Sequence, residues 1–330
     1  MLATKRVLSG MRPTGRLHLG NLHGALNNWI ELQGRDDCER FYFVADWHAL
    51  TSDYAETGHL REWSRQMVID WLGAGLDPDK STIFVQSAIK EHAELFVLLS
   101  MITPIAWLER NPSYKEMKEE ITNKDLSTFG FLGYPVLQSA DIIIYKANYV
   151  PVGVDQLPHI ELTREIARRF NHLYGDTFPI PEHILTAFPK LLGIDGRKMS
   201  KSYGNSIYIG DSGEALRQKI EEMFTDPQRV RRNDPGRPEL CNVYAFHKLY
   251  STEAFVLELK NSCENALIGC RECKKRLSDA VCIALAPIHE RIDHYNNNSS
   301  VVEEIIAVGN AQAKAIAQET MEQVRAAVRI

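Results

Sequence analysis

The sequence predicts an α/β fold, a Rossmann-like doubly wound parallel sheet followed by a mainly helical domain. Short apolar strand-like runs alternate with amphipathic helical stretches through the first half. The first of those runs ends in a turn and a helix start, where free backbone N–H groups and the helix dipole favour phosphate. Past the middle of the chain, helical spacing takes over from strand-like runs. With 330 residues, 44% of them hydrophobic, the chain can bury a large core spread over two domains.

Val7-Leu8-Ser9 reads as the first strand, and Arg12-Pro13-Thr14-Gly15 as the turn after it. The helix that follows carries Leu22, Leu26, Trp29 and Leu32 at helical spacing. A second buried strand covers 41–45 and ends at Asp46-Trp47-His48. A helix over 57–73 keeps Leu60, Trp63, Met67, Trp71 and Leu72 on one face, and 82–85 is a third strand. In such sheets ligands bind beyond the carboxyl ends of the strands, which brings Ser9, Gly10, Asp46, His48 and Gln86 together. Tyr134, Gln138 and Asp141 stand at i, i+4 and i+7 and share one helix face. Gly153 and Asp155 lie in a turn before a further helix. Phe178-Pro179-Ile180-Pro181 and Pro189 precede a soft boundary near 190, dividing a catalytic domain (1–190) from a helical one (191–330), with a glycine- and lysine-rich loop over 193–205 at the junction. Residues 301–330 form one amphipathic helix with Ile305, Val308, Ala315, Met321, Val324 and Val328 as packing positions, expected to fold back on the first domain.

The net charge of −5 sets up no global field for nucleic acid, so RNA contacts must use local basic patches. Arg164/Arg168/Arg169, Arg229/Arg231/Arg232 and Lys274/Lys275/Arg276 are candidates, each of which also reads as a solvated helix face or turn. Met1-Leu2-Ala3-Thr4-Lys5-Arg6 runs straight into a strand without a leader-like segment, and no apolar run nears a membrane span. The expectation is a cytoplasmic protein without disulfides and with neither membrane nor DNA as partner.

Two segments carry the chemistry: His18-Leu19-Gly20-Asn21 at the first helix start and Lys198-Met199-Ser200-Lys201-Ser202 in the 193–205 loop. A helix start that binds phosphate, with a loop whose two lysines can stabilise a breaking polyphosphate, reads as ATP chemistry. At these residues the chain resembles a class I aminoacyl-tRNA synthetase. The first tetrad matches the HIGH motif with Asn21 in the last position, and the second matches KMSKS letter for letter. Either alone is weak, since a lysine–serine loop is commonly a solvated turn; the ordered pair is specific.

Asp141, followed by Ile142-Ile143-Ile144, is a carboxylate in an apolar setting and needs a strong donor or a cation. It reads as a helix-terminus cap, as a partner of Lys146, or as the acceptor for a donor on a substrate side chain. An indole N–H or a phenol O–H would suit it. The wider pattern, from Ser9-Gly10-Met11-Arg12 through the first tetrad and again from Val150 to Arg164, is similar to bacterial tryptophanyl-tRNA synthetase over essentially the whole chain. The resemblance implies that Asp141 receives the indole N–H. It also implies that Leu8, His48, Tyr134, Gln138, Val150, Val152 and Gln156 line the tryptophan pocket, with Gln156 or Tyr134 near the ammonium. Arg12 and Gln138 depart from the common bacterial pattern, and Gln138 beside Asp141 also suits a phenol, which keeps tyrosine open.

The resemblance further implies in-line attack of the tryptophan carboxylate on the α-phosphorus of ATP, then transfer of the amino acid to the 2′-hydroxyl of the terminal adenosine of tRNA(Trp). In that scheme ATP, with Mg²⁺, is held by Arg12, His18, Gly20, Asn21, Gly153, Asp155, Lys198, Met199, Ser200 and Lys201. Lys115 is a further phosphate contact, or a solvated lysine. A homodimer is expected from the family.

Four of six cysteines are patterned: Cys241, Cys263, Cys270 and Cys273. Structural zinc usually shows two close pairs, whereas one is present here, and a [4Fe–4S] cluster needs four thiolates and tolerates a distant first ligand. A subgroup of the bacterial enzymes carries such a cluster, which the resemblance implies here; zinc and free core thiols are the alternatives. The rival functions are a tyrosyl-tRNA synthetase, a small-molecule nucleotidylyltransferase and a catalytically silent paralogue that binds RNA or an amino acid.

Overall fold

The computed structural model describes residues 5–120, 125–185 and 191–330, with 117–120 described as backbone alone. The expected boundary near 190 lies outside the described residues. Two compact units emerge, and neither is contiguous in sequence: 1–15, 25–187 and 298–330 form the first, and 16–24 with 188–297 the second.

The first unit is built on five parallel strands in the order β3-β2-β1-β4-β5. These are β1 (Lys5–Met11), β2 (Cys38–Val44), β3 (Thr82–Val85), β4 (Tyr149–Val152) and β5 (Glu182–Leu185). β1 and β2 run in register from Lys5↔Cys38 to Met11↔Val44, and Val7↔Tyr149 joins β1 to β4. Chain order reverses between β1 and β4, and a crevice at such a point is where doubly wound sheets bind ligands. Five helices of this unit matter below: α1 (Asp46–Asp53), α2 (Leu60–Ala74), α3 (Glu91–Ile102), α4 (Phe129–Ile144) and α5 (Leu157–Tyr174). Leu8, Phe41, Phe43, Phe84 and Val150 from the sheet pack with Leu95, Leu99, Val136, Ile143 and Ile160 from the helices. On the other side Trp29 stacks on Tyr42 and meets Trp71 of α2 edge-on.

The last helix, α7 (Ser299–Val328), also belongs to this unit. It lies along the edge strand β3, where Asn310 Oδ1 accepts the Val85 N–H at 2.9 Å. Of the expected packing positions Met321 and Val324 are buried, beside Val302, Gly309, Ala313 and Ala317, while Val308 and Ala315 face out. The reason is close approach. A Cβ on Gly309 would stand 1.8 Å from the Ile83 carbonyl oxygen, so small residues, not Val308, set the contact line.

In the second unit, 17–19 pairs with 207–209, and the helix Gly213–Glu221 packs on α6 (Cys270–Asn297) through buried Leu216, Ile220, Leu277 and Val281. Helices Asn242–Tyr250 and Glu253–Glu264 complete it. Among the described residues no helix is long and apolar enough to cross a membrane.

Candidate active site

In the second unit, buried Leu17 and Leu19 anchor the 18–21 tetrad. The Leu19 N–H donates to the Ile207 carbonyl and the Ile209 N–H to the Leu17 carbonyl, each at 2.9 Å. His18 and Asn21 then cap the helix reciprocally. The His18 N–H donates to Asn21 Oδ1 (3.1 Å), and the Asn21 N–H donates to His18 Nδ1 (3.2 Å). Because Nδ1 accepts, the neutral ring carries its proton on Nε2. Burial, then the Lys201 charge and also that of Lys198, push the imidazole down to about 4. His18 is therefore uncharged at neutral pH and offers an N–H, not a cation, to an incoming oxygen.

The 198–202 loop lies in the same unit, and a Cβ on Gly20 would sit 3.8 Å from Met199 Cβ. Met199 is buried and its N–H donates to the Leu191 carbonyl. Asn205 staples the loop: its Oδ1 accepts the Ser200 N–H at 2.9 Å, and its Nδ2 donates to Asp195 (2.7 Å) and to the Lys198 carbonyl (3.1 Å). Gly193 allows this, since a Cβ there would be 2.3 Å from Asn205 Cγ. The buried Asn242 donates from Nδ2 to the Gly193 carbonyl at 2.8 Å.

The first unit holds the other locus. Asp141 is 1% exposed and both its oxygens are engaged. Oδ1 accepts from His92 Nδ1 (2.6 Å) and Gln86 Nε2 (2.8 Å); Oδ2 accepts from His48 Nε2 (2.7 Å) and Gln86 Nε2 (2.9 Å). Gln86 Oε1 accepts the Trp47 N–H, which orients the amide. Burial alone would push the Asp141 carboxyl up; the His48 and His92 contacts hold it below the ordinary carboxylate value. Asp46, His48 and Gln86 thus meet at the ends of β2 and β3, as expected from topology. Lys146 is not the partner of Asp141, because its Nζ donates to Gln323 of α7. Gln138 is half-buried and is not among the donors described at Asp141.

Leu8, Val150 and Val152 are buried, and the buried Tyr134 lies 3.1 Å by its hydroxyl from His159 Nε2. Arg12 is paired with Asp53 (3.3 Å) and with the Ser52 hydroxyl. Gly153 ends β4, and Asp155 and Gln156 follow in a 3-10 turn, where Gln156 Nε2 donates to Asp155 Oδ2 at 3.2 Å. Lys115 is exposed on the helix Pro112–Glu120.

Cys241, Cys263, Cys270 and Cys273 line one cavity in the second unit together with Arg229, Tyr244 and Ile268. Burial, then the other three thiols, push the Cys273 thiol up to about 12. Arg229 Nη1 donates to Cys263 Sγ at 3.6 Å and its Nη2 to the Ile268 carbonyl at 2.7 Å. Among the described residues, no group of three or more His, Cys, Asp or Glu side chains is drawn together enough to hold a single metal ion.

The basic triplets are less open than the sequence suggests. Arg229 faces the cysteine cavity, Arg276 pairs with Glu272, and Lys274 donates to the Glu221 carbonyl. Arg164 and Arg168 pair with Glu161 and Glu165, and Arg169 lies over the Trp107 ring. Sequence reasoning missed His92, Asn205 and Asn242. For His92 a signal existed: it shares the apolar face of α3 with Leu95, Leu99 and Ile102, where an imidazole needs a partner.

Comparison with known proteins gives a consistent result. The family model for tRNA synthetases class I (W and Y) matches residues 3–286. The chain is 54% identical over 326 residues to the tryptophan–tRNA ligase of Thermotoga maritima, covering 98% of this chain and 99% of that one. It is 44% identical to the enzyme of that name from Aquifex aeolicus, covering 98% and 100%. The crystal structure of tryptophanyl-tRNA synthetase from Campylobacter jejuni complexed with ADP and tryptophan superposes with a TM-score of 0.89 at 34% identity, covering 98% of this chain and 100% of that one. With the 18–21 tetrad and the 198–202 loop in one unit and a saturated carboxylate at the strand ends of the other, the chain belongs to the bacterial tryptophanyl-tRNA synthetases of class I.

Proposed function

We propose that Asp141 reads the indole N–H of tryptophan while the 18–21 tetrad and the 198–202 loop handle the phosphates of ATP. The chain is a tryptophan–tRNA ligase: it activates L-tryptophan with ATP to tryptophanyl-adenylate and pyrophosphate, then esterifies the 2′-hydroxyl of the terminal adenosine of tRNA(Trp). The observation that carries the assignment of residues is the buried Asp141 carboxyl, whose two oxygens face the nitrogens of His48, Gln86 and His92 and so are set as acceptors. Leu8, Tyr134, Val150, Val152 and Gln156 then contact the amino acid, and Gly153 and Asp155 the ribose.

No side-chain nucleophile is needed, because the tryptophan carboxylate attacks the α-phosphorus directly. Catalysis is positioning and charge stabilisation. Neutral His18 donates from Nε2 to a phosphate oxygen, Asn21 holds the helix start, and Lys198 and Lys201 stabilise the departing pyrophosphate. Mg²⁺ accompanies the nucleotide, and Lys115 and Arg12 add positive charge.

The sheet-bearing unit, with the 18–21 tetrad and the 198–202 loop, serves catalysis, and the helices between 213 and 297 serve as the anticodon-binding part. The exposed Val97 and Met101 on one face of α3, with Ile105 beyond it, support a homodimer. The location that fits is the cytoplasm. At the four cysteines we favour a [4Fe–4S] cluster. Zinc would draw the sulfurs to about 2.3 Å from one centre, whereas a cluster keeps its ligands farther apart around a cavity. Arg229 would offset part of its negative charge. Iron and acid-labile sulfide in anaerobically purified protein, lost in Cys270→Ser, test this.

The decisive assay for the substrate is ATP–pyrophosphate exchange with tryptophan and tyrosine side by side. Exchange with tryptophan alone supports the reading. Exchange with tyrosine would mean that Gln138 and Asp141 read a phenol.

A further inference from the structure

Asp141 does not stand alone; it ends a buried relay. The Tyr145 hydroxyl lies 2.7 Å from His92 Nε2, and His92 Nδ1 lies 2.6 Å from Asp141 Oδ1. His92 and Tyr145 are both 0% exposed. Burial first, then the Asp141 and Glu91 charges, hold the Tyr145 phenol far above its ordinary value, so its O–H remains available to donate. When Tyr145 donates to Nε2, the neutral His92 ring must carry its proton on Nδ1, where it faces Asp141. Gln86, equally buried, is fixed by the Trp47 N–H. His48 differs from these donors: its side chain retains 11% exposure, and it binds Oδ2.

We propose that His92, oriented by Tyr145, is a positioning residue for substrate choice: it holds Asp141 Oδ1 permanently, so that His48 at Oδ2 is the donor that gives way to the N–H of the substrate side chain. This rests on the reading that Asp141 receives the indole N–H. A carboxylate offers about four lone-pair sites, and the described donors already fill both oxygens. An incoming N–H must therefore replace a donor, and the partly exposed one on α1 can move with least loss of packing. A carboxylate that lost His92 instead would turn, and would no longer present Oδ2 in a fixed direction.

The test is the preference for L-tryptophan over 3-benzothienyl-L-alanine, the isostere with sulfur in place of N–H, read as the ratio of kcat/KM values in ATP–pyrophosphate exchange. The ratio cancels any loss of folded enzyme. Wild type should prefer tryptophan, and Asp141→Asn should lose most of that preference. His92→Leu should cut the ratio by roughly tenfold or more. His92→Asn should regain most of it, since its amide nitrogen can donate from near the Nδ1 position, and Tyr145→Phe should fall between. If His92→Leu and Tyr145→Phe weaken both substrates equally, the relay is structural packing and the proposal fails while the Asp141 reading survives. If wild type does not discriminate, or Asp141→Asn leaves the preference intact, the Asp141 reading itself fails.

Discussion

Acidification should destabilise the first unit through His159, and His159→Asn should remove that sensitivity. His159 is 1% exposed; its Nδ1 faces Asn111 Nδ2 at 3.4 Å and its Nε2 faces the Tyr134 hydroxyl. Burial, then the His48 charge, lower its value from 6.5 to about 4. Between those two pH values the unfolded chain binds a proton that the folded chain refuses, so stability is undiminished above pH 6.5 and falls as pH drops toward 4. Linkage puts the contribution at about 2 kcal/mol at pH 5 and about 3 kcal/mol once both states are protonated. The near-complete burial leaves little solvent screening to reduce it. All five tryptophans (Trp29, Trp47, Trp63, Trp71 and Trp107) lie in the first unit, so urea unfolding followed by their fluorescence reports on the unit that contains His159. Asparagine will cost something at pH 7.5 through altered hydrogen bonds, but that offset is constant. The measured quantity is the change in the wild-type-minus-variant difference between pH 7.5 and 5. A difference that stays flat would refute the reasoning, since every other titrating group is common to both proteins.

Two further outcomes follow from local geometry. Gly309→Ala should lower the Tm of the first unit and cost about 3 kcal/mol, because the new methyl meets a backbone oxygen and not a side chain that can turn away; an unchanged tryptophan-fluorescence melt would contradict the close approach of α7 to β3. Asn205→Ala should reduce kcat of ATP–pyrophosphate exchange by about tenfold to a hundredfold while the KM for tryptophan stays within about twofold, because it frees the lysine loop and leaves Asp141 untouched.

Three strands were legible because each is a short apolar run: 82–85 matches β3 residue for residue, and 7–9 and 41–45 mark β1 and β2. β4 and β5 were not, and β5, largely exposed, carries no buried run to read. The first helix was harder. Its middle turn, Leu22–Leu26, widens into a π-helix between Leu19–Asn21 and Asn27–Leu32, and periodicity has no term for such a bulge. The interleaved units were invisible for a different reason. What draws 16–24 to the second unit is pairing with 207–209, a contact between distant parts of the chain that leaves no local signature. At the site, Asp141, His48 and Gln86 could be placed by topology and chemistry. His92 left only the sign of an imidazole on an apolar helix face, which calls for a partner without naming it, and Asn205 left none, because a residue that acts through another is recognised only when its partner's position is known.

The placement of α7 bears on how the protein is made. β3 is the outer strand of the sheet, and its covering comes from residues synthesised after all five strands. Until then a nascent first unit carries an open β-edge beside exposed apolar side chains, a surface that pairs readily with other chains. Stalled or prematurely terminated translation would release that edge uncovered. A chain that stopped short of α7 would keep every residue proposed here for tryptophan and ATP, yet its fate would be decided by aggregation and by the chaperones that intercept it.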